Sequence, residues 1–101
     1  MTDEIVEKII FRALETLNEE RAPDQQIEVS TKTRLFGVDA EIDSLSLVSV
    51  ISDVETTINV EHNLSINLAD DRAMSRAESP YTTVDTLKRY ILELTQEGLA
   101  Q

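Results

Sequence analysis

Apolar residues return at helical spacing in three separate stretches, and little inside any of them breaks the repeat. In the first stretch Ile5, Ile9, Ala13 and Leu17 fall every fourth position, with Val6, Ile10 and Leu14 beside them. Only a 3.6-residue period gathers such a set onto one face. Two glycines and two prolines in 101 residues leave few turn formers, which favours helices over a turn-rich β fold. Aromatics are few (Phe11, Phe36, Tyr81, Tyr90) and there is no tryptophan, so the core falls to Leu, Ile, Val and Ala. A chain of this length makes one domain, residues 1–101, and buries roughly two-thirds of its unfolded surface.

The first helix is expected from Asp3 to about Glu20. Thr2 or Asp3 caps it, and acids crowd its first turn, where the helix dipole favours them. Arg21-Ala22-Pro23-Asp24 ends it, since proline cannot continue the ladder. Residues 24–43 form a long connection anchored by Leu35, Phe36, Val38 and Ile42, with a short strand at Ile27 and Val29 as a minor alternative. The second helix runs from Ser44 to about Ile58. Leu47, Val50, Ile51, Val54 and Ile58 make its stripe; Leu45 and Val48 lie off its centre. Asp43 is its N-cap. Its many β-branched residues give mediocre local propensity, so packing must carry it. Asn59 to Ile66 is a second connection. Leu68 to Ser75 reads as a short third helix, and Ser79-Pro80-Tyr81 breaks the chain again. Thr83 caps a last helix to about Glu97, where Val84, Leu87, Ile91 and Leu94 recur and Gly98 marks the end. The fold class is all-α: a small four-helix bundle with a long first loop and a short third helix.

Absence of cysteine excludes disulfides, thiolate metal sites and thiol nucleophiles. The acidic start Met1-Thr2-Asp3-Glu4, with no long apolar run, gives no secretory signal and no transmembrane span. A cytoplasmic location is expected. The net charge of -11 repels phosphate backbones and anionic lipid heads, so neither nucleic acid nor membrane is expected as a partner. It suits docking onto basic partner surfaces.

The charge is unevenly spread. From Leu35 to Asp71 there is no Lys or Arg, and eight acids fall there: Asp39, Glu41, Asp43, Asp53, Glu55, Glu61, Asp70 and Asp71. A solvated helix face usually mixes signs, so this window reads as an acidic docking surface centred on the second helix. Ser44 heads that helix. With Asp43 as cap, Ser44 is released into the first turn, and a phosphodiester there would meet unpaired backbone N–H groups and the positive dipole end. Ser44 has no base of its own: Asp43 is too acidic, and the sole histidine, His62, lies in another segment. Self-catalysed nucleophilic chemistry is not expected, no catalytic residue is assigned, and the chain is not read as an enzyme.

Phe36, Asp39, Asp43, Ser44, Leu45, Val48, Val54 and Glu55 resemble, in type and spacing, the acyl carrier protein family. There an Asp-Ser-Leu follows a Phe-containing loop and opens the second of four helices. The resemblance spans nearly the full chain. It implies that a phosphopantetheinyl transferase attaches 4'-phosphopantetheine to Ser44, and that the arm's thiol carries acyl groups as thioesters. It implies a monomeric, non-catalytic carrier in fatty-acid-like or specialised lipid or secondary-metabolite biosynthesis. Acyl-processing enzymes would dock on the acidic second helix through Asp43, Asp53 and Glu55. In the family the acyl chain can tuck between helices, which the apolar side of the second helix would serve here.

The chain departs from the family pattern at informative places. Glu41 stands where a glycine is usual three residues before the serine, and Ser46 and Ser49 stand where acids are usual. These point to a specialised carrier serving a dedicated pathway. The alternatives are a polyketide or peptidyl carrier, although residues 40–42 lack the peptidyl carriers' Gly-Gly, and an unmodified acidic helical adaptor. His62, beside Glu61 and Asn63, reads as a surface loop residue. Asp70-Asp71 lacks a calcium-loop pattern, and no metal site is expected. Met74, Ile66 and Leu68 read as core. Arg72, Arg76, Lys88 and Arg89 soften the acidity of the C-terminal third without making a nucleic-acid site.

Overall fold

The computed structural model describes residues 2–37, 39–68 and 79–99, with side chains through residue 95. Helix α1 spans Asp3–Glu19, with the Thr2 hydroxyl accepting from the Ile5 amide at 3.3 Å. Pro23 opens a single 3-10 turn, Pro23–Gln25, its fixed φ suiting a first helical position. Helix α2 spans Ser44–Glu61 and helix α3 spans Val84–Leu99. The regular elements among the described residues are thus all helical, with no strand; one isolated antiparallel bridge joins Arg34 to Thr83. Ile27 and Val29, the minor strand alternative, are half-buried and pack against the core. The expected helix Leu68–Ser75 and the anchor Val38 lie outside the described residues, except for Leu68 itself, which is buried.

α1 packs against both other helices. Its buried line is Val6, Ile9, Ile10, Ala13 and Leu14; Ile5 is exposed and Leu17 half-buried. The expected stripe is therefore turned by a fraction of a residue step, toward Val6 and Ile10. Leu47, Val50, Val54 and Ile58 of α2 meet it, as do Val84, Leu87, Tyr90, Ile91 and Leu94 of α3. α2 runs three residues beyond the expected Ile58, because Ile58 is a fully buried stripe member whose carbonyl accepts from the His62 amide at 3.0 Å. His62 is exposed at the C-cap, and Asn63 takes a left-handed φ of 54°, a conformation Asn tolerates. Thr83 and Thr86 cap α3 reciprocally, each amide donating to the other's hydroxyl at 2.9 and 3.1 Å. α3 continues through Gly98 to Leu99, past its expected end; helix ends are fixed less sharply than helix centres. No helix among the described residues is long and apolar enough to cross a membrane.

The long first connection is held by polar clamps rather than by its own regular structure. Asn18 of α1 donates to the Ile27 carbonyl and accepts from the Ile27 amide, both at 2.9 Å. Thr33 Oγ1 donates to the Glu28 carbonyl at 2.7 Å. The Leu35 amide donates to the Thr82 carbonyl at 2.8 Å, and the Val84 amide to the Thr33 carbonyl at 3.1 Å. The loop is thereby stitched to the start of α3, satisfying backbone groups that would otherwise be lost in a half-buried segment. Asn18→Ala is expected to lower stability by about 1–3 kcal/mol, since two backbone groups lose their partner. Urea unfolding of the variant checks this.

Candidate functional site

The clamped loop delivers the chain to Asp43, and Asp43 starts α2. Its carboxylate accepts from the Ser46 amide at 2.7 Å. That bond, the Ser46 hydroxyl, and more weakly the Arg21 guanidinium hold the Asp43 carboxyl below the usual carboxylate range. A carboxylate so stabilised is a poor proton acceptor. The consequence for stability follows from the sign of the shift. A depressed folded pKa gives stabilisation that is full above the unfolded value and lost as pH falls through the folded one. Asp43→Ala is therefore expected to lower the urea midpoint at neutral pH. The difference from the parent should begin to shrink below about pH 4, the ordinary carboxylate value, and vanish as pH falls through the lower folded one. Urea titrations across that range check it.

Ser44 is the first residue of α2 and is exposed. Among the described residues none hydrogen-bonds its hydroxyl, and the Ser44 and Leu45 amides have no acceptor there. Two free amides beside a free hydroxyl, at the positive end of an 18-residue helix, form a place where an anionic ester on Ser44 is electrostatically favoured. These residues fit a phosphodiester-linked group.

Two further residues belong to this site. Arg21, folded back from the end of α1, places Nη2 3.3 Å from Ser46 Oγ and Nη1 3.3 Å from the Gln25 carbonyl. A cation thus stands within the acidic window's territory, although the window itself contains none. Glu41 closes the loop before the serine: its carboxylate accepts from the Arg34 amide at 3.0 Å, and its amide donates to the Arg34 carbonyl at 2.8 Å. Phe36, expected as an anchor, is instead 47% exposed. The ring stands at the edge of a groove that Ser44 also lines.

The expected docking acids do not share one face. Asp43 is the cap. Asp53, nine positions after Ser44, lies about two and a half turns on, hence on the opposite side of the helix; it lines a groove with Arg12 and Thr16 of α1. Glu55 is half-buried and accepts from the Leu68 amide at 2.8 Å, so it fastens the second connection. Asn59 fastens it further, bonding the Ile66 carbonyl at 3.1 Å and amide at 2.9 Å. The exposed face of α2 beside Ser44 consists of Leu45, Val48, Ser49, Ser52, Thr56 and Val60. It carries no charge, and Leu45, Val48 and Val60 are 79%, 62% and 75% exposed.

No family model, no curated protein and no solved structure matches the chain.

Proposed function

We propose that this chain is an acyl-carrier-type protein whose Ser44 bears a phosphopantetheine arm. The single observation that carries the reading is the state of Ser44: exposed, without a hydrogen-bond partner among the described residues, and set beside two amides that likewise have none there, at the head of α2. The Asp-Ser-Leu sequence, the helix order and the acidity support it. In this reading the fold is a four-helix carrier bundle.

A transferase would join Ser44 Oγ to the phosphorus nearest pantetheine in coenzyme A. The P–O bond to adenosine bisphosphate breaks, and the serine proton passes to a base on the transferase. Asp43, its carboxyl held ionised by Ser46, orients the helix start but does not act as that base. Ser44 and Leu45 offer their amides to the new phosphodiester. Bound there, the group supplies a thiol that carries acyl chains as thioesters.

Partner enzymes would dock across α2 next to Ser44. There the exposed apolar residues Leu45 and Val48 supply contact area, and exposed patches of this kind mark interaction sites. Asp43 heads the surface, whereas Glu55 is committed to Leu68. The second reading, an unmodified helical adaptor, is favoured by the same uncharged face, which could bind a partner without any arm.

The test is an incubation with coenzyme A and a broad-specificity phosphopantetheinyl transferase, read by intact mass. The carrier reading expects a gain of one phosphopantetheine. No gain with several such transferases would leave the adaptor.

A further inference from the structure

Between the first connection and the start of α2 lies a groove of about 420 Å³, and Ser44 is part of its wall. Leu35, Ile42 and Leu47 make its buried side, and the exposed Phe36 ring its outer lip. The groove exists because the loop turns at Gly37, whose φ of 109° is closed to most side chains. The turn is held by the Ala40 amide donating to the Gly37 carbonyl at 3.2 Å. Gly37 and Ala40 also line the groove, and neither has a side chain large enough to fill it.

We infer that this groove seats the pantetheine portion of the arm on the protein's own surface. The inference rests on the carrier reading. Its volume falls within the roughly 300–1,000 Å³ of ordinary small-ligand sites. The match is one of sequence along the arm. The phosphodiester stays at the mouth, on the Ser44 and Leu45 amides. The next unit outward is a carbon bearing two methyl groups, and the next wall is apolar: Ile42, Leu47 and the Phe36 ring. The amides of the arm follow along the groove with their polar edges turned to its open side, where water satisfies them, and the thiol end is shielded while the arm is seated. Covering Phe36 removes a large wet apolar surface, a favourable term that no described residue supplies.

The tether makes weak contacts sufficient. A short flexible link gives roughly millimolar effective concentration, so an intrinsic affinity of only about millimolar half fills the groove. The arm then divides its time between the groove and a partner's active site, and any partner must win it from Phe36.

The experiment uses the full chain loaded by a broad-specificity transferase, with loading confirmed by intact mass. Two readouts follow: nuclear Overhauser contacts from the arm's methyl protons, and the rate at which a chromogenic disulfide reagent consumes the arm thiol. Contacts to Phe36 and Leu47 are expected in the parent. Phe36→Ser and Ala40→Glu change an exposed and a half-buried loop position, and circular dichroism verifies that both fold. Each should lose the methyl contacts and raise the thiol rate about twofold, as a half-seated arm becomes fully free. Loaded protein with no such contacts, and equal rates in all three chains, would overturn the groove assignment while the carrier reading survives. A chain that never loads overturns both.

Discussion

Ser44→Ala is expected to take up no phosphopantetheine at all, while Ser46→Ala loads as the parent does. The contrast follows from what each hydroxyl already does. Ser44 Oγ is exposed and without a partner among the described residues. Ser46 Oγ accepts from Arg21 Nη2 at 3.3 Å, so it is already engaged. Its amide is spent on the Asp43 cap. Ser49 is exposed, but it lies beyond the first turn, where amides are paired within the helix. Neither neighbour can substitute for Ser44, so the loss is complete rather than partial. The fold should not change: a solvent-facing serine with no partner can be replaced within about 0.5 kcal/mol. Intact mass of the two variants, with thermal unfolding of each, checks both halves. Loading of Ser44→Ala at any other hydroxyl would remove the site assignment.

Helix existence was legible because three apolar stripes leave no other way to be buried together. The stripes place Ile10, Val54 and Ile91 inside, and all three are buried. Caps were equally legible: Thr2, Asp43 and Thr83 act as local chemistry requires. What escaped was the direction of individual residues. A run of acids in sequence says that a region is negative, not which way each carboxylate faces. The helical phase already set Asp53 opposite Ser44, but nothing local said that Glu55 would turn to the Leu68 amide. Phe36 is expected, like Leu35, as an apolar anchor of the long connection. The positive φ at Gly37 and the stitching of Leu35 to Thr82 instead seat Leu35 and leave Phe36 at the rim. Arg21 carries no signal at all in the sequence, for its position depends on how the chain folds back at Pro23.

Leu14→Ala should be among the most damaging single changes to stability. Leu14 is fully buried on α1, the helix that packs against both α2 and α3. Truncation removes transfer energy and leaves a cavity, together costing about 3 kcal/mol or more. Against the roughly 5–15 kcal/mol that holds a domain of this kind folded, that is a large share. In a chain of this size it lowers the melting temperature by about 12–24 °C. Leu45→Ala, the same deletion at a residue 79% exposed, should leave stability within about 0.5 kcal/mol. Paired thermal melts read the difference. The pair also separates fold from site. Leu14 touches the site only by keeping α2 in place, so below its melting point Leu14→Ala should still load at Ser44, and above it loading and helicity should vanish together. Leu45→Ala inverts this pattern. The fold stays intact while transferase docking weakens, because Leu45 lies on the α2 surface beside the serine. A Leu14 variant that stays folded but fails to load would mean that Ser44 is presented by more than its own cap and loop.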